Sequence, residues 1–513
     1  MAKNIVICSD GTGNTAIKGR GTNVFKLFEA VDLNGHRSAP HLIPQVAIYD
    51  DGVGTEGFLP LKLLGGAFGW GLKRNVVRLY TGLVRIYDPG DSIYLFGFSR
   101  GAFTVRTLAG MIAKCGILDW NYLPTTDAMR TGVHAAYRAY REAYRTWLYR
   151  VVHGKGVADV QGSAGQAIAD FRDHHRAHDA QIHFIGVWDT VDAVGGPFHI
   201  ADLINNLVYR FKFPDHTLSD RVNLAVHALS IDDARAAFEP VLWEADERVE
   251  QVWFAGVHSN VGGGYPKQGM SLVALDWMLD KAARQGLRIL RDDRQRYREH
   301  GSVDDKLYNS RAGLGVCYRW KPRNMAALSA QQKAGSIPKL HLSVLERIAH
   351  GTDGYAPGSL ALNAEVVYTP TGDPFQDNAT QVRAQEAQRA FTTAFQRRGA
   401  DLAGVSWTPF AGRIAYYLFA GSCVGAILDG SFLQASAARA PVSVVVAFGL
   451  IASTALAMHV KHRRSLVFSR FWHDSRHELR DALKAAREKL QLSASSGANR
   501  SDSAPDARKA VAD

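Results

Sequence analysis

The chain has 513 residues, of which 46% are hydrophobic and 21% charged, with a net charge of +11. These values are ordinary for a globular protein and argue against a wholly disordered chain or a polytopic membrane protein. The positive excess either has no functional meaning or suits an acidic membrane surface, because no Lys/Arg block with interleaved aromatics resembles a nucleic-acid module. The cysteines lie far apart and form no CxxC pair, which argues against a disulfide framework or a zinc site and fits a reducing compartment; they are Cys8, Cys115, Cys317 and Cys423. No metal and no cofactor are expected.

From Asn4 to about Leu290, short apolar runs alternate with helical stretches. This pattern is typical of a mainly parallel sheet flanked by helices. The chain enters its first strand at once, so no signal peptide is expected. Catalytic groups of such sheets collect at the carboxyl ends of the strands. The candidate strands are Ile5–Cys8, Gln45–Tyr49, Ser92–Phe96, Ile182–Trp188, Val222–Leu229 and Gln251–Val257.

The third candidate strand runs into Gly97-Phe-Ser-Arg-Gly101, and a helix is predicted over Ala102–Ile112. A strand, a GxSxG turn and a helix together indicate a nucleophile elbow, which presents a serine hydroxyl at the edge of the sheet. Ser99 is therefore the candidate nucleophile. The N–H of Arg100 is expected to be one donor of an oxyanion hole.

A serine needs a base to remove its proton, and a histidine base needs an acid to orient it. His258 directly follows the strand that ends at Val257 and opens a glycine-rich loop, so it is the candidate base. Asp189 ends the apolar strand Ile182–Trp188 and completes the order Ser, Asp, His. Asp192 lies three residues later and is the alternative acid.

Asp10-Gly-Thr-Gly-Asn14 follows the first strand. We expect the backbone N–H groups of Gly11 and Thr12 to contribute to the oxyanion hole. Phosphohydrolases of the haloacid dehalogenase type also place Asp-Gly-Thr after a first strand. Their nucleophilic aspartate stands two positions earlier, where this chain has Cys8, so that interpretation is disfavoured.

A catalytic domain is predicted over residues 1–400, with a helical insertion at 118–180. The insertion carries an aromatic stripe that would either form a lid offered to a lipid or pack in the core; its members are Tyr137, Tyr140, Tyr144 and Trp147. Residues 301–396 are assigned to the periphery of the domain, because Pro, Gly and polar residues interrupt them.

Residues 411–460 contain two uncharged runs. Ala440–Met458 has 19 residues and Ile414–Leu428 has 15, against about 20 residues needed to cross a bilayer. Lys461–Arg464 and Arg413 flank the runs on one side, with Asp429–Arg439 as the short outer connection. These features predict a transmembrane hairpin; two buried helices of a soluble domain are the alternative.

After the hairpin, residues 465–491 form a charged, amphipathic segment, which predicts an interfacial or partner-binding helix. Residues 492–513 are rich in Ser, Ala and Asp, and we expect them to be disordered.

Five motifs, taken together and in this order, resemble the catalytic domain of type VI secretion phospholipase effectors over residues 3–360: Asp10–Thr12, Gly97–Ala102, Gly186–Thr190, Asp232–Pro240 and Gly256–Tyr265. The resemblance implies an α/β-hydrolase that cleaves phospholipid esters, with Ser99, Asp189 and His258 as nucleophile, acid and base. Position 260, often Asp in the family, is Asn here.

We therefore expect an α/β-hydrolase-like serine esterase of lipids, with phospholipids as substrates and no nucleic-acid partner. The hairpin and basic flank predict the bacterial inner membrane with a cytoplasmic catalytic domain. If the protein is instead a secreted effector, it would act on a target-cell membrane and could be matched by an immunity protein. A non-catalytic, membrane-anchored interaction or regulatory module is the alternative function.

Overall fold

The structure is a computed structural model that describes residues 2–11, 21–52, 67–142, 162–191, 216–313, 315, 318–332, 336–361, 363–429 and 440–501. Its centre is a sheet of eight strands in which every pairing is parallel. The strands are β1 (Asn4–Ser9), β2 (Gln45–Asp50), β3 (Ser92–Phe98), β4 (Ile182–Trp188), β5 (Ala225–Ser230), β6 (Val249–Phe254), β7 (Lys339–His341) and β8 (Glu365–Val367).

The strand order is β8-β7-β6-β5-β4-β3-β1-β2. The chain leaves β1 toward β2 on one side and then returns to β3 on the other, so the order reverses between β1 and β3. Ser9 of β1 lies opposite Gly97 of β3, which places the carboxyl ends of both strands side by side. Such a reversal is where open α/β sheets hold their ligands.

Helices cover both faces of the sheet, and each face has its own apolar cluster. The helices are α1 (Asn23–Ala30), α2 (Ala67–Ile86), α3 (Arg100–Cys115), α4 (Thr126–Glu142), α5 (Gly162–His174), α6 (His258–Gly262), α7 (Gly269–Arg284), α8 (Arg291–His300), α9 (Met325–Ala330), α10 (Leu342–His350), α11 (Pro374–Arg398), α12 (Thr408–Asp429) and α13 (Ala440–Ser501). A single turn covers Gly35–Ser38, and two short antiparallel strands, Ile117–Leu118 and Ala177–His178, flank the helical insertion.

All six strands predicted from the sequence are present, with ends shifted by at most three residues. The assignment of residues 301–396 to the periphery is wrong. This region adds β7 and β8 to the sheet and contributes α10, whose Leu345 and Ile348 are fully buried in a third apolar cluster. Strands of three residues are too short to show a hydrophobic period, and their positions follow from pairing with β6 and with each other.

The aromatic stripe of the insertion belongs to the core where the structure describes it. Tyr137 and Tyr140 on α4 are buried among residues of α2, α3 and α4. These two rings are therefore packing residues and are not offered to a lipid. Tyr144 and Trp147 lie outside the described residues.

The two apolar runs of the C-terminal region form α12 and the first half of α13. Ser422 contacts Gly449 and Gly425 contacts Val446, so the helices pack antiparallel through small residues. Outside this seam they expose a broad apolar surface, the hairpin surface: Phe410, Ile414, Tyr417, Leu418, Phe419, Val424, Val444, Val445, Phe448, Ile451 and Met458. Among the described residues, one helix is long and apolar enough to cross a membrane, Val444–Glu488, and only 11% of its apolar window is buried.

The second half of α13 packs on the catalytic domain. Phe471, Trp472 and Leu479 are buried, and the Trp472 ring lies close to Phe391 and Phe395 of α11. The apolar face of segment 465–491 is thus used within the chain, contrary to the interfacial or partner-binding role predicted for it. The helix also continues to Ser501, beyond the residue at which disorder was expected to begin, because an anchored helix extends with little further cost.

Candidate active site

The turn between β3 and α3, which is the candidate nucleophile elbow, is built around a strained serine. Ser99 has φ 58° and ψ −123°, a conformation that non-glycine residues adopt only when the surroundings enforce it. Glycine is needed on both sides. A Cβ on Gly101 would lie 2.1 Å from the carbonyl oxygen of Ser9, and one on Gly97 would lie 2.6 Å from that of Gly101. The tight turn therefore depends on the two glycines.

His258 is the first residue of α6 and faces the elbow. Its Nε2 lies 2.7 Å from Ser99 Oγ, and its Nδ1 lies 2.6 Å from Asp189 Oδ2. The ring packs between Phe98, at 4.6 Å between centroids, and Phe238, at 5.0 Å. The side chains of Ser99, His258 and Asp189 thus form one continuous, buried hydrogen-bonded chain.

Asp189 follows β4 with φ 39°, so its backbone is also strained. Its carboxylate accepts hydrogen bonds from the backbone N–H of Ser230 at 2.9 Å and from both terminal nitrogens of Arg323 at 2.6 and 2.8 Å. Burial alone would raise the pKa of Asp189, but the charge of Arg323 and the hydrogen bonds from His258 and Arg323 outweigh it and hold the pKa well below its usual range. Asp192, the alternative acid, lies outside the described residues.

The three expected oxyanion donors differ in what the structure shows of their N–H groups. Arg100 is the first residue of α3, so its N–H lies in the first turn of that helix. The N–H of Gly11 donates to Asp10 Oδ1 at 2.6 Å, so it would have to exchange that bond to reach a substrate. Thr12 lies outside the described residues.

Asp10 directly follows β1 and links it to residues elsewhere in the sheet and in α1's cap. Its Oδ2 accepts hydrogen bonds of 2.6 Å from the hydroxyls of Thr22 and Tyr49. Burial raises the pKa of Asp10, and these hydrogen bonds oppose the rise. In the described ranges, no group of three or more His, Cys, Asp and Glu side chains is arranged to hold a metal. The contact between His258 Nε2 and Ser99 Oγ is the geometry in which a histidine can take the proton of a serine hydroxyl.

The family model of the type VI secretion system phospholipase effector Tle1-like catalytic domain matches residues 3–281, which is more than half of the 513 residues. The chain belongs to this family. Membership supports a lipid-hydrolase function for the Tle1-like domain.

Individual relatives of the Tle1-like chain are distant. An uncharacterized protein of Saccharomyces cerevisiae is 28% identical over 250 residues, covering 46% of this chain and 32% of that protein. A solved uncharacterized protein from Pseudomonas aeruginosa has 18% identity and a TM-score of 0.35, covering 77% of this chain and 60% of its own. The structure of the Tle1 effector bound to the VgrG spike has 17% identity and a TM-score of 0.28, covering 52% and 51%. The chain thus spans about a third of the yeast protein and less than two thirds of either solved chain.

The Asp232–Arg235 block, whose role could not be derived from the sequence, holds the histidine loop of the Tle1-like domain. Asp232 accepts a hydrogen bond from the Gly256 N–H at 2.7 Å, and Asp233 accepts one from the His258 N–H at 3.3 Å. Arg235 pairs with Asp233 at 2.7 Å and lies over the Phe238 ring at 3.4 Å. The block therefore fixes both the backbone of His258 and the ring against it.

Asn260 has a structural role that an aspartate could not fill. Its Nδ2 donates to the Lys306 carbonyl at 3.0 Å, while its Oδ1 accepts from the N–H groups of Val257 and Tyr308, both at 3.3 Å. We expect Asn260→Asp to lower the free energy of unfolding by about 1–3 kcal/mol, because a carboxylate oxygen would face a carbonyl oxygen in a buried place. Denaturant titration measures this. Asn309→Asp at an exposed position is the control, and an equal loss in both variants would contradict the prediction.

Activity of the Tle1-like domain should depend on the protonation of His258. Burial lowers its pKa below the ordinary value of 6.5, although the hydrogen bond and charge of Asp189 oppose the shift. His258 accepts a proton only when neutral, so kcat/KM should stay high as the pH falls to 6.5 and decline about tenfold per pH unit below the lowered pKa. Measuring kcat/KM for a short-chain nitrophenyl ester from about pH 4 to pH 8 tests this. An acid limb with its midpoint above 6.5 would contradict it.

Proposed function

We propose that the chain is a serine esterase that cleaves carboxylic esters of phospholipids through Ser99, His258 and Asp189. The hydrogen-bonded chain from Ser99 Oγ through His258 to Asp189, with distances of 2.7 and 2.6 Å, carries the proposal. The order of the three residues along the sequence, and the elbow that presents the serine, are those of α/β-hydrolases.

In the first half of the reaction, Ser99 Oγ attacks the carbonyl carbon of the ester while His258 Nε2 takes its proton. The tetrahedral intermediate collapses, the alcohol leaves with the proton that His258 returns, and the acyl group stays on Ser99. A water molecule, deprotonated by His258, then attacks the acyl-enzyme. The fatty acid leaves and Ser99 regains its proton. Asp189 stays ionised throughout and stabilises the imidazolium that forms twice in each turnover.

The hairpin surface supports lipid esters as the substrate class. Monomeric soluble proteins rarely expose apolar areas of this extent, which mark membrane or partner contacts. Lys461 and Arg463 follow the apolar part of α13 as exposed residues and suit the anionic headgroups at the cytoplasmic face of a bilayer. Arg464 instead donates to the carbonyl oxygen of Gly358. We propose that the hairpin inserts in the membrane, with the catalytic domain on the cytoplasmic side, so that lipid esters are the nearest substrates.

Fatty-acid release from phosphatidylglycerol and phosphatidylethanolamine vesicles tests the proposed activity. The same protein is incubated with a fluorophosphonate, which labels only a serine activated by a base. We expect fatty-acid release and labelling at Ser99. A folded protein that shows neither would instead support the non-catalytic interaction or regulatory module.

A further inference from the structure

Arg323 is buried beside the candidate acid, with 2% of its side chain exposed. Its two terminal nitrogens meet both carboxylate oxygens of Asp189, at 2.6 and 2.8 Å. The same nitrogens donate to Ser230 and to the carbonyl oxygen of Phe238. The fork contacts both carboxylate oxygens at once and so restricts the plane of the Asp189 carboxylate, in addition to the hydrogen bonds from His258 and Ser230.

The backbone on either side of Arg323 is held in place. Before it, the N–H of Lys321 donates to the carbonyl of Ala234 at 2.8 Å, which ties the segment to the Asp232–Arg235 block. After it, Asn324 caps α9 through a bond from the N–H of Ala327, and the Met325 side chain is completely buried. The backbone that carries the Arg323 guanidinium toward Asp189 is therefore held in place on both sides.

A purely structural ion pair would be the simplest explanation of a buried Arg and Asp. Two observations point further. Asp189 Oδ2 accepts from both Arg323 and His258, so rotation of the carboxylate away from one partner would also break the other contact. The positive charge of Arg323 also opposes protonation of Asp189, which must stay ionised while His258 carries the proton of Ser99.

We propose that Arg323 is a positioning residue for the reaction: it holds the Asp189 carboxylate in the plane that orients His258 toward Ser99, and keeps it ionised. The inference rests on the proposed esterase function. Arg323 lies beyond residues 3–281, the part of the chain that matches the family model. The C-terminal part of this chain thus completes a site whose other members lie in the matched part.

The test compares Arg323→Met and Arg323→Lys in the full-length protein, with kcat expressed per serine titrated by the fluorophosphonate. In Arg323→Met we expect kcat to fall by about 10- to 100-fold, the loss typical when a supporting partner is removed, with KM unchanged. We also expect the acid limb of kcat/KM to move to higher pH, because removing a positive charge near His258 favours its protonated form. Arg323→Lys keeps the positive charge but cannot form the two-pronged contact with the carboxylate. Its acid limb of kcat/KM should therefore lie at the wild-type pH, while its kcat should lie between those of Arg323→Met and the wild type.

Arg347→Met is the matched control, because Arg347 is equally buried and bonds to the carbonyls of Val303 and Asp305. Arg347→Met should lower the free energy of unfolding without changing the pH at which the acid limb of kcat/KM falls. The inference would be overturned if Arg323→Met kept the wild-type kcat and the wild-type acid limb of kcat/KM. It would also be overturned if Arg347→Met showed the same changes as Arg323→Met. If Arg323→Met does not fold, Arg323→Lys decides, since full wild-type kcat in that variant also overturns it. Failure of the proposed function is distinguishable, since Ser99→Ala would then keep its activity.

Discussion

Ser99→Ala is expected to lower kcat for phospholipid hydrolysis by about 10⁴- to 10⁶-fold, because it removes the only atom proposed to attack the ester. The variant should fold as the parent does. Alanine meets the same strained backbone at φ 58°, and the loss of one hydroxyl bonded to His258 is small against the stability of a domain of this size. Fatty-acid release and fluorophosphonate labelling measure the result, with thermal unfolding as the check on folding.

Ser475→Ala provides the matched control for the nucleophile. Ser475 is also buried, but it lies on α13 and, among the described residues, bonds to Phe471 and Arg398. This variant should keep wild-type kcat. His258→Ala should be nearly as inactive as Ser99→Ala, and the double variant should be little worse, because the residues act as one unit. Equal activity of Ser99→Ala and the wild type would exclude the proposed esterase mechanism.

Charges placed on the hairpin surface should release the protein from membranes. Val445, Phe448 and Ile451 are 70%, 72% and 69% exposed on the apolar part of α13. An aspartate near the centre of a membrane helix costs about 3 kcal/mol, so the three replacements together oppose insertion by about 9 kcal/mol. We expect the Val445→Asp, Phe448→Asp, Ile451→Asp variant to move from the membrane fraction to the supernatant.

The same variant should separate membrane attachment from chemistry. Its kcat for a short, water-soluble ester should be unchanged, because the proposed triad lies in the catalytic domain. Fatty-acid release from vesicles should fall by at least about tenfold as the local lipid concentration drops. Ile337→Asp and Phe375→Asp are the controls, since both side chains are exposed and lie outside the hairpin. Retention of the triple variant in the membrane fraction would show that the hairpin is not the anchor.

The central strands and the three members of the hydrogen-bonded chain could be predicted from the sequence because their signals are local. A buried strand followed by a glycine-rich turn marks a place for chemistry within about ten residues. Ser99, Asp189 and His258 each end or follow such a strand, and the structure places their side chains in contact. Gly97 and Gly101 could be recognised in the sequence for the same reason, since the elbow needs glycines two residues before and two residues after the serine.

Other parts of the site depend on contacts between distant residues, which no local pattern reports. Arg323 meets Asp189 across 134 positions of the chain, and in the sequence it is one of 60 Lys and Arg residues with no motif around it. The apolar periodicity of residues 465–491 shows that one face of the helix must be buried, but it does not show which part of the protein covers that face. The structure shows that α11 covers it.

The sequence by itself therefore determined the central strands, the turn around Ser99 and the order of Ser99, Asp189 and His258. Strand periodicity and turn-forming residues can be recognised from residues that are close together in the chain. The tertiary structure decided that residues 301–396 add two strands to the sheet and that Arg323 pairs with Asp189. It also decided that α13 joins the hairpin surface to the catalytic domain as one helix. These features arise from pairings between segments far apart in the chain, whose free energy exists only once the fold has brought them together.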